Sequence, residues 1–182
     1  MPGLVNVANA VTAARILATP VLVVVVLRAT PSWAALLLWA ALAFSDAADG
    51  WVARRHGKST SGAFLDPLAD KFVVLGAVVA IAALGKFTWA PVALLAGREA
   101  LITAYRLLVA RHGVSVPARR VAKAKTLVEF LTVGLVLVPV AGSSLAHLAQ
   151  AGLWAAVALA WLSAAQYLAD TRAGRRALAG NA

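Results

Sequence analysis

Residues 46–70 read DAADGWVARRHGKSTSGAFLDPLAD and hold four of the chain's seven acidic residues, Asp46, Asp49, Asp66 and Asp70. The flanks are apolar: AALLLWAALAFS over 34–45 and FVVLGAVVAIAAL over 72–84. Long unbroken runs of this kind belong to helices, because barrel strands alternate over short segments. Each carboxylate at bilayer depth costs roughly 2.5–3.5 kcal/mol, so four together call for a compensating partner of high positive charge. A pair of divalent cations is the economical one.

The same apolar character extends over the whole chain. Of 182 residues, 62% are hydrophobic and 13% charged, with a mean hydropathy of +0.84. These values lie outside the range of soluble domains and predict an all-α, polytopic membrane protein. With about 20 apolar residues per crossing, six transmembrane helices are expected, at 11–28, 33–54, 63–84, 88–110, 122–141 and 145–168, in a single domain over 1–182. Leu4–Ala10 is expected to form a short interfacial segment ahead of the first span. No basic region precedes Ala10, and Arg15 stands where the apolar run begins, so the first span reads as a retained helix rather than a cleaved signal. The turn signals are Thr30-Pro31-Ser32, Gly57 to Gly62, Gly85-Lys86, Gly113 to Pro117 and Gly142-Ser143-Ser144. The tail after Asp170 is expected to fray.

A net charge of +10 raises nucleic-acid binding as a function class, and its distribution argues against it. The basic residues gather as Arg54, Arg55 and Lys58, as Arg111, Arg119, Arg120, Lys123 and Lys125, and as Arg172, Arg175 and Arg176. With six spans, all three groups share a side with both termini, and the opposite hairpins carry only Arg28 and Lys86. The positive-inside rule makes the rich side cytoplasmic, which places the protein in the cell membrane. Anionic membrane lipids account for part of the charge. Cysteine is absent, which excludes disulfides and thiolate metal sites. The six tryptophans fall mostly near span ends, as an aromatic belt does.

At helical spacing, Asp46, Asp49, Gly50 and Ala53 stand at i, i+3, i+4 and i+7, and Gly62, Asp66 and Asp70 at i, i+4 and i+8. Two helices joined by a short turn then present two carboxylates each toward a common point. An all-oxygen donor set suits Mg²⁺ or Mn²⁺, and two such ions form a known clamp for displacement at phosphorus. Gly50, Ala53 and Gly62 leave room for a phosphate or nucleotide near the backbone, and Arg54, close to one turn beyond Asp49, can neutralise a diphosphate. Two other readings compete. A structural ion-pair network with Arg54, Arg55 and Lys71 explains the acids but not the glycines registered with them, and buried ion pairs often fail to offset desolvation. A cation channel or carrier would place acids at mid-membrane, often on broken helices, whereas these lie at one end of their spans.

These residues resemble the signature of the CDP-alcohol phosphotransferase family, D-x2-D-G-x2-A-R, a short gap, then G-x3-D-x3-D. Asp46, Asp49, Gly50, Ala53, Arg54, Gly62, Asp66 and Asp70 fill every fixed position, and the six-span layout agrees over nearly the whole chain. The resemblance implies transfer from a CDP-linked lipid to an alcohol with release of CMP. It implies that Asp46, Asp49, Asp66 and Asp70 ligate two divalent cations and that Asp70 is also the base for the acceptor hydroxyl. It further implies that Gly50, Ala53 and Gly62 hold the cytidine end, that Arg54 meets the diphosphate, and that the protein is a homodimer.

A second stretch, GREALITAYRLLVARHGVSVPARRVAKAKT over 97–126, resembles the phosphatidylglycerophosphate synthase branch, with its R-E-x6-R and a later G-K-x-K-T. Arg98, Glu99, Arg106, Lys123, Lys125 and Thr126 match, and Ala122 stands where that branch has Gly. The opening NVANAVTAARI resembles its N-x-P-N-x-L-T-x-x-R, with Ala8 in place of Pro. Arg98, Arg106, Lys123 and Lys125 suit a dianionic phosphate; the alternative pairs Arg98 with Glu99 and lets the lysines reach headgroups. The expected donor is CDP-diacylglycerol and the expected acceptor sn-glycerol 3-phosphate, giving phosphatidylglycerol phosphate. A cardiolipin synthase of the same fold, with phosphatidylglycerol as acceptor, is the runner-up.

Overall fold

The computed structural model describes the backbone of residues 2–56, 62–110, 120–140 and 143–179, with side chains over 13–45, 71–109, 121–140 and 145–172. Among these residues there are six helices and no strand: α1 (Pro2–Ala29), α2 (Trp33–His56), α3 (Gly62–Ala83), α4 (Trp89–Ala110), α5 (Arg120–Leu137) and α6 (Ser143–Ala179). The all-α expectation holds, and each apolar run has become one helix. Three boundaries differ from the sequence reading. Leu4–Ala10 is not a separate piece but the first turns of α1. α5 stops at Leu137 rather than 141, because Val138 precedes Pro139 and a residue before proline is pushed out of the α region. The tail is helical through Ala179, well past Asp170.

The chain divides into two compact units, residues 1–87 with 130–149, and residues 88–129 with 150–182. In the first, α1 packs against α3 and, less extensively, against α2. Gly76 of α3 sets the approach: a Cβ there would lie 3.3 Å from both Thr19 Cγ2 and Val23 Cγ2 of α1. Pro20 lacks the N–H that would bond the Ile16 carbonyl, and the Thr19 hydroxyl donates to the neighbouring Arg15 carbonyl at 2.9 Å. Leu22, Val26, Ala77, Val78 and Ile81 are fully buried.

Helix ends in this unit are closed by identifiable partners. Ser32 Oγ accepts from the Ala35 N–H at 3.1 Å, capping α2, while the Ser32 N–H donates to the Leu137 carbonyl at 3.1 Å and so closes α5 as well. Trp39 is buried: its Nε1 donates to the Phe130 carbonyl at 3.1 Å, and its ring stacks on Phe130 with centroids 5.3 Å apart. α3 ends in a Schellman turn at Gly85, φ +71°. There the Gly85 N–H donates to Ala82 and the Lys86 N–H to Ile81.

In the second unit, Val92, Leu95, Ile102 and Val109 of α4 are buried, as are Leu153, Ala156, Ala160 and Ala164 of α6. Both sets recur at near-helical spacing and mark one face of each helix. Gln150 binds Thr88 twice at 3.0 Å, accepting from its N–H and donating to its hydroxyl.

Leu145–Arg172, 28 residues with hydropathy 1.5, is the one stretch among the described residues long and apolar enough to cross a membrane by length and composition. The apolar parts Trp33–Ser45 and Lys71–Ala83 are shorter, within 10–17 residues, and charged residues interrupt α4 and α5. Large apolar side chains nevertheless stand outside on every helix, among them Leu17 and Phe44, each 72% exposed, and Leu37, Phe72, Leu101, Leu127 and Leu148. Arg15, Arg98, Glu99, Lys125 and Glu129 are buried.

Candidate functional site

Asp46, Asp49, Gly50, Ala53 and Arg54 lie in the last turns of α2, and Gly62, Asp66 and Asp70 in the first turns of α3. Both stretches are helical, so the registers required by the sequence exist: Asp46, Asp49, Gly50 and Ala53 share a face of α2, and Gly62 opens α3 with Asp66 and Asp70 one and two turns on. Both helices' acidic ends belong to the first unit. The side chains of these eight residues lie outside the described ones. As a donor set, four carboxylates in a chain without cysteine fit Mg²⁺ or Mn²⁺ and do not fit a thiolate-seeking metal.

The four basic residues expected at the acceptor all fall in the second unit and separate into two kinds. Arg98 and Lys125 are buried. Arg98 donates through Nε to the Ala160 carbonyl at 2.9 Å, through Nη1 to Glu99 at 2.5 Å, and through Nη2 to Ser163 Oγ. Lys125 Nζ donates to the same Glu99 oxygen at 2.8 Å and stands 3.2 Å from Glu129 Oε1, one turn along α5. Ser163 in turn donates to the Ala160 carbonyl at 3.0 Å. Arg98, Lys125, Glu99 and Glu129 thus meet in one network joining α4, α5 and α6. A dielectric lower than water strengthens each of these contacts and makes the loss of any one costly.

Arg106 and Lys123 are exposed. The Arg106 guanidinium carbon lies 4.9 Å from the centroid of the Tyr167 ring. The Tyr105 ring meets Tyr167 edge-on, 6.1 Å away at 85°, and the Tyr105 and Thr171 hydroxyls are 3.0 Å apart.

The pairing of Arg98 with Glu99, the alternative weighed from sequence, is therefore present. Glu129 and Tyr167 escaped the sequence reading. The i, i+4 spacing of Lys125 and Glu129 is a signal that could have found Glu129. Nothing local points from Arg106 to Tyr167, which meets it only through the packing of α4 with α6.

The sequence pattern of the CDP-alcohol phosphatidyltransferases matches residues 5–162. A protein of Mycobacterium tuberculosis named probable phosphatidylglycerophosphate synthase is 36% identical over 143 residues, covering 75% of this chain and 68% of its own length. Two proteins named CDP-diacylglycerol–glycerol-3-phosphate 3-phosphatidyltransferase are also similar. That of Rickettsia bellii is 31% identical over 168 residues, 89% of this chain and 93% of the relative. That of Pseudomonas fluorescens is 34% identical over 141 residues, 72% of each. With its whole signature standing on α2 and α3 and a match that spans most of its length, the chain belongs to the CDP-alcohol phosphatidyltransferase family.

Proposed function

We propose that this phosphatidyltransferase moves the phosphatidyl group of CDP-diacylglycerol to sn-glycerol 3-phosphate, giving phosphatidylglycerol phosphate and CMP. The observation that carries the reading is the complete signature on α2 and α3, in a chain whose relatives are named for that donor and acceptor. An acceptor hydroxyl attacks the donor phosphorus attached to diacylglycerol, the bond from that phosphorus to the CMP oxygen breaks, and CMP leaves as an anion that needs no proton. Asp70 takes the hydroxyl proton. Arg54 meets the diphosphate, and Gly50, Ala53 and Gly62 admit the cytidine end. Members of the family generally depend on divalent metal, and two cations, Mg²⁺ or Mn²⁺, held among Asp46, Asp49, Asp66 and Asp70 supply charge neutralisation at the diphosphate.

Arg106 and Lys123, exposed, bind the acceptor phosphate, with Arg98 and Lys125 held on Glu99 to support that end of α4 and α5. The burial of charged residues beneath exposed Leu, Val, Phe and Trp on all six helices supports a multi-pass arrangement, since lipid reverses the usual surface preference. The clusters of Arg and Lys support cytoplasmic termini and a cytoplasmic site. A homodimer completes the proposal by family likeness.

The test is CMP release by purified protein with CDP-diacylglycerol and Mg²⁺ or Mn²⁺, comparing sn-glycerol 3-phosphate, phosphatidylglycerol, inositol phosphate and no acceptor. Release stimulated by glycerol 3-phosphate alone is the expected result. Stimulation by phosphatidylglycerol instead reassigns the enzyme to cardiolipin synthesis.

A further inference from the structure

Two of the four basic residues expected at the acceptor are already committed. Arg98 and Lys125 share one oxygen of Glu99, and Lys125 also stands beside Glu129. Their N–H donors are directed at these carboxylates, at the Ala160 carbonyl and at Ser163 rather than at a ligand. Arg106 differs: among the described residues no carboxylate pairs with it, and its guanidinium carbon lies over the Tyr167 ring, 4.9 Å from the centroid.

That contact has a chemical consequence. A cation over an aromatic face is held by the ring's quadrupole rather than by an anion, which leaves guanidinium N–H donors uncommitted to a carboxylate and available to a phosphate. A carboxylate partner would do the opposite, occupying the edge that a phosphate needs. The ring that holds Arg106 is itself braced. Tyr105, the residue before Arg106, meets Tyr167 edge-on. Its hydroxyl lies 3.0 Å from that of Thr171, and the buried Thr171 hydroxyl bonds back to the carbonyls of Tyr167 and Leu168 at 3.0 Å. Two neighbouring residues of α4 thus grip one side chain of α6, and the rotamer freedom of a long exposed arginine is restricted before any ligand arrives.

We propose that Tyr167 is a positioning residue for acceptor recognition, holding the Arg106 guanidinium with its N–H edge presented to the phosphate of the incoming alcohol. The inference rests on sn-glycerol 3-phosphate being the acceptor. It assigns Tyr167 no contact with the reacting atoms.

The experiment measures KM and kcat for glycerol 3-phosphate in the purified full-length enzyme and in Tyr167→Leu, Tyr167→Phe, Arg106→Ala and the Tyr167→Leu/Arg106→Ala double variant. A cation held by an aromatic face at a partly exposed site corresponds to about a fivefold effect. Tyr167→Leu should therefore raise KM for glycerol 3-phosphate about fivefold, with kcat and the KM for CDP-diacylglycerol kept. Tyr167→Phe should stay close to the parent. The double variant should match Arg106→Ala, because Tyr167 acts through Arg106. Pentafluorophenylalanine at position 167 provides a measurement that keeps the shape and inverts the charge of the ring face; it should behave as Leu does. The proposal is overturned if Tyr167→Leu raises KM by the same factor with or without Arg106, if Phe is as damaging as Leu, or if the fluorinated ring behaves as Phe. A parent enzyme that releases no CMP in response to glycerol 3-phosphate overturns the acceptor assignment and this inference with it, an outcome distinct from the others because it appears before any substitution.

Discussion

Replacing Asp66 with Asn keeps the size of the side chain and removes its charge, so Asp66→Asn should abolish turnover while the protein still inserts and purifies normally. Full activity in purified Asp66→Asn would remove the two-cation arrangement from consideration. A different loss is expected at Glu99, whose buried carboxylate receives both Arg98 and Lys125. Glu99→Gln leaves those cations with one carboxylate fewer, and breaking one member of a buried ionic set costs roughly 3–5 kcal/mol. Heat denaturation in detergent should show a large fall in the melting midpoint, and an unchanged midpoint would mean that the network contributes nothing to stability. The helical register of the aspartates was legible from spacing alone, because it is local to two consecutive helices. The partners of Arg98 were half legible: Glu99 is its neighbour, but Ser163 and the Ala160 carbonyl lie more than sixty residues away, and no pattern of short range encodes them.

Between helices, the approach of α3 to α1 rests on Gly76 and two β-branched residues, Thr19 and Val23. Ala at position 76 gains about 1 kcal/mol of helix propensity against a 3.3 Å contact with two methyl groups whose χ1 freedom is small. The two effects nearly cancel. Gly76→Val adds two further methyls and should destabilise by roughly 2 kcal/mol through overpacking, measured by thermal unfolding in the same detergent; parental stability would show that α1 and α3 separate without loss. Hydropathy made the helices legible, since 33–54 became Trp33–His56 and 88–110 became Trp89–Ala110. Their ends were less so. A proline that stops α5 can be read in advance, whereas the continuation of α6 to Ala179 runs through Gly174 and a polar sequence that propensity alone counts as weak.

At the scale of the molecule, the absence of cysteine makes orientation directly measurable, because any introduced thiol is the sole target of a labelling reagent. In intact cells, Arg28→Cys and Lys86→Cys should react with a membrane-impermeant maleimide from outside, and Arg175→Cys only after the membrane is opened. Labelling of Arg175→Cys in intact cells would reverse the proposed orientation. Charge distribution is the basis of this proposed topology, and it carries no sign of the division into two units, each assembled from separated stretches of chain. That division bears on synthesis. Trp39 finds its stacking and hydrogen-bond partner in Phe130, 91 residues later. At about 5–20 residues per second, the ribosome delivers that partner roughly 5–18 s after the indole has emerged. Through that interval the nascent chain carries an aromatic ring and an indole N–H awaiting their native partner, and translation halted before Phe130 yields a product that cannot close its first unit.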